Sequence, residues 1–169
     1  LHLPELRAQS RFAGGSFVRA FLPGCNYAEL VTGEGEERNA VPMVTNGDGV
    51  FQAPAPADIP YRLRISWPDG IVEAADPYAF GLSLSEDDIY LFAGGRHFDL
   101  ATRLGANPRS FDGIDGVLFA VWAPNASQVA VVGNFNGWDV RRHPMRRRLG
   151  PGIWELFIPG IGPGAVYKY

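Results

Sequence analysis

The chain has 169 residues, 46% of them hydrophobic, and a formal net charge of −3. The hydrophobic content excludes wholesale disorder, and the acidic balance argues against a nucleic-acid partner. The one cysteine, Cys25, cannot form an intrachain disulfide, which favours a cytoplasmic protein, and no apolar run is long enough to span a membrane.

Short apolar runs separated by glycine, proline, asparagine and aspartate dominate the chain, and long helical patterns are absent. This pattern predicts an all-β fold. In the first half, the runs 17–22, 28–31 and 61–67 are predicted strands, and a turn at Pro68-Asp69-Gly70 leads into another strand near 71–74.

The middle of the chain has a different pattern. Ser85 and, three positions later, Asp88 resemble a capping box at the start of a helix. The segment 98–104 has the pattern of two helical turns, ended by Gly105 as a C-cap. We interpret 77–107 as a short helical connector that packs on the first sandwich.

The second half begins at a tight turn, for which Asp112-Gly113 and Asp115-Gly116 are the two candidates. An apolar run, 118–123, then ends at Pro124, and a second apolar run follows at 129–132. This pattern predicts two strands of a small β-sandwich.

The loop 134–138 places Trp138 beside two amides, Asn134 and Asn136. A flat aromatic face with adjacent amides suits the apolar face and the hydroxyl rim of a sugar ring. Composition alone favours the alternative that Trp138 covers one end of the core, since tryptophan is highly buried on average. Lys168 lies between two tyrosines, so on a strand it points to the opposite face from them and offers an ammonium to sugar hydroxyls.

Two further aromatic residues and a basic cluster have plainer interpretations. Trp122 and Trp154 lie in apolar runs and are predicted core residues.

The cluster 141–148 contains five arginines, which are typical of a site for an anionic partner. The favoured alternative is a polar strand-and-turn edge, or a docking surface for another part of the same protein.

No catalytic constellation is visible in the sequence. The three histidines, His2, His97 and His143, are far apart and lack metal-ligand spacing. Cys25 lies in a Pro-Gly-Cys-Asn-Tyr turn without an identifiable base. We therefore expect no catalytic residue, no metal and no cofactor.

The chain repeats itself at a spacing of about 100 residues. The segment 17–23 aligns with 118–124, and 28–31 aligns with 129–132. Further matches follow in the same order: Pro42-Met43 with Pro144-Met145, Gly49-Val50-Phe51 with Gly152-Ile153-Trp154, Pro56 with Pro159, and Tyr61-Arg62-Leu63 with Tyr167-Lys168-Tyr169.

The repeat predicts two tandem immunoglobulin-like β-sandwiches. We expect the first sandwich and its helical connector to occupy 1–107, and the second sandwich to occupy 108–169. The second copy stops at Tyr169 in mid-pattern, so we expect a truncated second sandwich and a fragment of a longer protein.

Four motifs of the second half carry a family resemblance: 121–126 (Val-Trp-Ala-Pro-Asn-Ala), 132–139 (Val-Gly-Asn-Phe-Asn-Gly-Trp-Asp), 141–146 (Arg-Arg-His-Pro-Met-Arg) and 152–160 (Gly-Ile-Trp-Glu-Leu-Phe-Ile-Pro-Gly). With them, 115–169 resembles the family-48-type carbohydrate-binding module near the N-terminus of bacterial 1,4-α-glucan (glycogen) branching enzymes. Through 76–80, 88–92 and 103–106, the first half resembles the additional N-terminal sandwich of the longer members.

The resemblance implies a parent enzyme that cleaves an α-1,4-glucan and transfers the cut chain to a 6-hydroxyl, by a retaining reaction that uses two carboxyl groups. The catalytic (β/α)8 barrel of that family is missing here, so the chain is expected to be inactive alone. Its expected partners are an α-1,4-glucan or glycogen and the barrel of the parent chain.

The resemblance also implies roles for four residues. Trp138 would stack on glucose, Lys168 would hydrogen-bond a hydroxyl, and Asn134 and Asn136 would support the loop. Two alternatives stay open: a structural or regulatory protein-interaction module that uses the cluster 141–148, and the front end of a debranching-type relative.

Overall fold

The computed structural model describes residues 9–12, 15–45, 47–55, 59–148 and 150–169. The chain divides into two compact units, of which the first ends at Ala79 and the second begins at Phe80. Antiparallel strands dominate both units, so the prediction of an all-β sandwich fold with a short helical segment is confirmed. Within the described ranges, no helix combines the length and apolar character that a membrane span requires.

The first unit is a sandwich of two four-stranded antiparallel sheets, with the strand orders β1-β2-β6-β5 and β4-β3-β7-β8. The strands are β1 (Gln9–Phe12), β2 (Gly15–Phe21), β3 (Tyr27–Thr32), β4 (Asn39–Pro42), β5 (Val44–Thr45), β6 (Val50–Ala55), β7 (Tyr61–Trp67) and β8 (Gly70–Ala74), with a 3-10 turn at Gly35–Glu37. In the central strands β3, β6 and β7, buried residues alternate with more exposed ones over part of each strand, as the period of two requires. The core consists of Val18, Ala20, Leu22, Ala28, Leu30, Met43, Phe51, Ala53, Leu63 and Trp67.

The second unit contains a four-stranded antiparallel sheet of order β12-β13-β10-β9 and a separate β11–β14 pair. Its elements are α1 (Glu86–Ala93), β9 (Gly105–Phe111), β10 (Ile114–Trp122), β11 (Val132–Gly133), β12 (Arg146–Arg147), β13 (Ile153–Pro159) and β14 (Tyr167–Lys168), with 3-10 turns at Leu100–Thr102 and Asn134–Asn136. Asp112-Gly113 is the two-residue turn between β9 and β10, with positive φ at both positions, as this type of hairpin requires.

The segment around α1 covers one face of the central strands of this second unit. Leu84 is buried together with Ala120 of β10 and Ile153 of β13, and apolar side chains of the helix and the following loop pack against them. The ring of Phe80 meets the ring of Phe157 edge-on, with the centroids 4.9 Å apart. Because β13 is buried along its whole length, it needs a cover on both faces, and this segment supplies one of them.

The division at Phe80 therefore differs from the boundary that we predicted at Asn107. Periodicity showed a helical connector but did not show which sheet it covers. Contacts that decide the question come from far along the chain: Glu155 Oε2 accepts hydrogen bonds from the backbone N–H groups of Ser83 and Leu84, at 2.8 and 3.1 Å.

The predicted capping box at Ser85 is confirmed. The Ser85 hydroxyl accepts from Asp88 N, and an Asp88 carboxylate oxygen accepts from Ser85 N, each at 3.0 Å. Burial raises the pKa of Asp88, but hydrogen bonds from His97, Ser85 and Arg103 outweigh it and hold that pKa well below its ordinary value. The second predicted helical stretch is only the 3-10 turn Leu100–Thr102.

The internal repeat is visible in the backbone at two equivalent glycines. Gly49 and Gly152 have φ of 77° and 76°, and a Cβ at either position would overlap the backbone of a proline, Pro23 or Pro124. The same conformation and the same close approach thus occur once in each unit. Another residue of the predicted repeat, Pro56, lies outside the described residues.

Candidate functional site

Trp138 lies at the end of a tightly held turn. After the 3-10 turn Asn134–Asn136, Gly137 and Trp138 both adopt left-handed backbone, with φ of 63° and 61°. Trp138 N donates a hydrogen bond to Gly133 O at 3.0 Å. Left-handed backbone costs a non-glycine residue about 1–3 kcal/mol, so neighbouring contacts must hold Trp138 in place.

Trp138 is 46% exposed. It is therefore not a fully buried core residue. Because the backbone at Trp138 is held in place, less conformational freedom would be lost if its exposed ring contacted a ligand.

Asn136 is the internal brace of this turn. It is 2% exposed, its Oδ1 accepts from Gly133 N at 2.9 Å, and its Nδ2 donates to Val131 O at 2.9 Å. The same amide nitrogen lies 2.8 Å from His143 Nδ1. Since the Gly133 N–H fixes which end of the amide is the oxygen, Nδ2 is the donor to the imidazole.

His143 is a supporting residue that sequence reasoning missed. Its Nδ1 accepts from Asn136, and its ring lies beside Phe135, with the centroids 5.8 Å apart. Burial of the imidazole, with a smaller contribution from the Arg142 charge, lowers the pKa of His143 to about 4. The ring is therefore neutral at pH 7 and can act as the acceptor. Only its position in the Arg-Arg-His-Pro-Met motif marked it in the sequence.

The turn is tied to the strand that carries Lys168. Asn134 Oδ1 accepts from Val166 N at 3.2 Å, and Asn134 N donates to Val166 O at 3.2 Å. In the β11–β14 ladder, Val132 pairs with Lys168 and Gly133 pairs with Tyr167. The backbones of Trp138 and Lys168 thus both attach to this short ladder, although the residues are thirty positions apart in the sequence.

An aromatic cluster lies beneath the turn and its partner strand. Phe119 of β10 contacts the ring of Tyr167 at 5.0 Å between centroids and the ring of Phe135 at 6.1 Å. Lys168, next to Tyr167, is exposed, as the alternation of side chains along a strand requires. The packed rings therefore anchor both segments, and the ammonium remains in solvent.

The basic cluster 141–148 is engaged within the second unit. Arg141 pairs with Asp139 at 2.7 Å, and this hydrogen bond is the largest contribution that lowers the pKa of the aspartate to about 2. The other arginine contacts are Arg142 with Asp139, Arg146 with the Phe80 and Gly81 carbonyls, Arg147 over the Trp154 ring, and Arg148 with Glu86 and Glu155. The cluster is thus a polar edge that docks another part of the same chain.

The two other tryptophans of this unit differ from each other. Trp154 is buried and its indole N–H donates to Ala123 O at 3.0 Å, so the prediction of a core residue is confirmed. Trp122 is 56% exposed, so the same prediction is wrong there. Its apolar neighbours in the sequence lie along β10, whereas Trp122 itself is the last residue of that strand.

In the described part of the chain, no three His, Cys, Asp or Glu residues come together as a metal site. Cys25 is a half-buried thiol, and burial raises its pKa. Around the turn 134–138, the second unit presents an exposed indole, an exposed ammonium and the amides that fix their segments.

These features agree with a comparison to known families. Residues 103–169 match the family described as carbohydrate-binding module 48 (isoamylase N-terminal domain). This part of the chain is therefore similar to the carbohydrate-binding modules of family 48.

The chain as a whole is similar to the N-terminal region of bacterial branching enzymes. It is 53% identical over 92% of its length to the 1,4-alpha-glucan branching enzyme GlgB of Pseudomonas aeruginosa. It is 52% identical over 92% of its length to GlgB 1 of Xanthomonas campestris pv. campestris, and 50% identical over 93% to GlgB of Pseudomonas fluorescens. The chain spans 21% of the length of each of these relatives.

Proposed function

We propose that the second unit binds an α-1,4-glucan chain, such as the outer chains of glycogen. In this proposal the exposed face of Trp138 stacks on a glucose ring and Lys168 hydrogen-bonds a hydroxyl. Asn134 and Asn136 hold the turn that presents the indole. The observation that carries the proposal is an exposed tryptophan in left-handed backbone, braced by a buried amide, inside a family-48 segment.

Within the parent protein, the chain acts as the non-catalytic N-terminal part of a cytoplasmic 1,4-α-glucan branching enzyme of glycogen biosynthesis. It positions glucan chains and steadies the catalytic barrel of the same polypeptide. The bond-breaking and bond-forming groups belong to that barrel, so this chain alone does not remodel glucan. Similarity over nearly the whole chain to branching enzymes supports this role.

Titration with maltoheptaose, followed by tryptophan fluorescence, tests the binding site. We expect Trp138→Ala to weaken binding by about tenfold or more, because a stacking platform is removed. Val140→Ala is the matched control, since Val140 is an exposed apolar residue two positions away and should bind like the parent chain. Equal affinity of the Trp138→Ala variant and the parent chain would refute the assignment of Trp138.

The support role is tested separately, by mixing this chain with a separately expressed barrel. Co-elution as a stable complex would support it, and independent elution would count against it.

The alternative of a protein-interaction module was based on the cluster 141–148. Those arginines make their contacts within the second unit, so no specific observation favours that alternative.

A further inference from the structure

A second aromatic surface lies between α1 and the end of β10. It is an open groove of about 570 Å³, a volume typical of small-ligand sites. The residues that line the groove include Glu86, Tyr90 and Phe92 of α1, and Trp122 and Pro151. None of these residues contributes to the turn that carries Trp138.

The indole of Trp122 is held in one orientation in this groove. Its Nε1–H donates to Pro151 O at 2.9 Å, and its ring meets the ring of Phe92 edge-on, with the centroids 6.0 Å apart. Trp122 is nevertheless 56% exposed. Because its N–H is already satisfied, the part of the side chain that remains available is the ring face, which suits stacking rather than hydrogen bonding.

Tyr90 is the second exposed ring, with 66% of its surface accessible. The Arg96 guanidinium lies over the Tyr90 ring, 5.6 Å from the centroid, and donates to the tyrosine hydroxyl at 3.2 Å. The hydroxyl hydrogen remains free to donate to a ligand. Glu86, whose side chain is 88% exposed, adds a carboxylate acceptor that Arg148 holds at one side.

We infer that this groove is a second contact surface for an α-1,4-glucan. Oriented aromatic faces, one hydroxyl donor and one carboxylate acceptor match a pyranose ring, which has an apolar C–H face and a rim of hydroxyls. The carboxylate disfavours an anionic ligand such as a phosphorylated chain. The inference takes its ligand class from the proposed function.

The first unit offers an internal comparison for this groove. In the repeat, Trp122 corresponds to Phe21, which is half-buried and pairs with Val50 as Trp122 pairs with Ile153. The described part of the first unit has no α-helix equivalent to α1. An exposed indole beside a helix is therefore particular to the unit that contains the carbohydrate-binding module.

The experiment is a titration of the ¹⁵N-labelled chain with maltoheptaose, in which the indole N–H signals of Trp122 and Trp138 are followed separately. The four indole signals are assigned by single Trp→Phe variants. We expect both signals to shift, each with its own affinity. In Trp138→Ala, the shift at Trp122 should persist with an affinity within about twofold of the original, because the two surfaces share no residue.

Tyr90→Ala should weaken the affinity reported by Trp122 by about tenfold and leave the affinity reported by Trp138 unchanged. Tyr27→Ala is the matched control, since Tyr27 is an exposed tyrosine of the first unit and its loss should change neither signal. The remaining amide signals show that each variant is folded.

An unmoved Trp122 signal at a maltoheptaose concentration that saturates Trp138 would overturn the inference and leave the proposed function standing. A Trp122 shift that disappears in Trp138→Ala would also overturn it, because the shift would then be indirect. A Trp122 signal that moves with protein concentration in the absence of sugar would show that a second copy of the chain occupies the groove. A shift at Trp122 without one at Trp138 would instead support the groove and refute the proposed Trp138 site.

Discussion

The two units of this chain share one strand framework. Thr32 pairs with Tyr61 in the first unit as Gly133 pairs with Tyr167 in the second. A backbone hydrogen bond between each of the two equivalent glycines and the residue before the proline also recurs. Leu22 N donates to Gly49 O at 2.7 Å, and the equivalent Ala123 N donates to Gly152 O at 2.9 Å. The repeat in sequence is thus a repeat in pairing and in turn conformation.

The units differ in the turn that follows the third strand of this framework. In the first unit that turn is Gly35–Glu37, which has exposed glutamates, no side-chain cap and no buried residue. In the second unit it is Asn134–Asn136, where Asn136 is buried and braced from three sides. The same position in the framework therefore presents a solvated acidic turn in one unit and a rigid aromatic turn in the other. The two units thus differ in the chemistry of this turn and not in the strand framework that carries it.

The largest expected effect on stability concerns the two equivalent glycines of the shared framework. Gly49→Ala and Gly152→Ala should each destabilise their own unit by about 3 kcal/mol, because a Cβ would be forced against proline backbone in left-handed conformation. Hydrogen exchange in urea, read at the β2–β6 and β10–β13 amides, measures the two units separately. A large effect in one unit and none in the other would show that the two glycines are not equivalent.

The differing turns give the second prediction. Asn136→Ala should cost the second unit about 2 kcal/mol, because Gly133 N–H and Val131 O lose their partner. Glu36→Ala, in the exposed turn of the first unit, should change the free energy of unfolding by no more than about 0.5 kcal/mol. Urea unfolding of both variants measures the two changes in the free energy of unfolding. Similar changes at the two positions would contradict the prediction that only the turn of the second unit is braced.

The third and smallest effect is a pH dependence that belongs to the second unit. His143 has a folded-state pKa of about 4, below its ordinary value of 6.5, so the unfolded chain binds the extra proton first as the pH falls. Stability from this group is present above pH 6.5 and is lost as the pH falls toward 4. Linkage gives a loss of about 1 kcal/mol between pH 7.5 and 5.5.

His143→Gln is the matched variant for that measurement, because glutamine keeps an acceptor for Asn136 but does not titrate in this range. Unfolding of the parent chain and of this variant is compared from pH 7.5 to 5.5. The difference between the two should shrink as the pH falls. A difference that is constant over this range would mean that His143 is not a neutral acceptor in the folded unit.

Local sequence patterns predicted the elements whose cause is local. The capping box at Ser85 and the turn at Asp112-Gly113 depend on side chains and backbone angles within a few residues. The position of Trp138 on a turn followed from its neighbours in the same way. What these patterns could not give was the partner of each segment, as the brace between Asn136 and His143 shows.

Periodicity, turn chemistry and motifs predicted the strand pattern, the duplication, the family resemblance and the residues that the glucan proposal uses. Three findings came from contacts in the folded chain: the helical segment covers the second sheet, Trp122 is exposed, and the arginines of 141–148 are engaged. Exposure and pairing depend on residues more than fifty positions away in several of these cases. Chain order alone does not fix those contacts, because any of several apolar faces would satisfy the same local pattern.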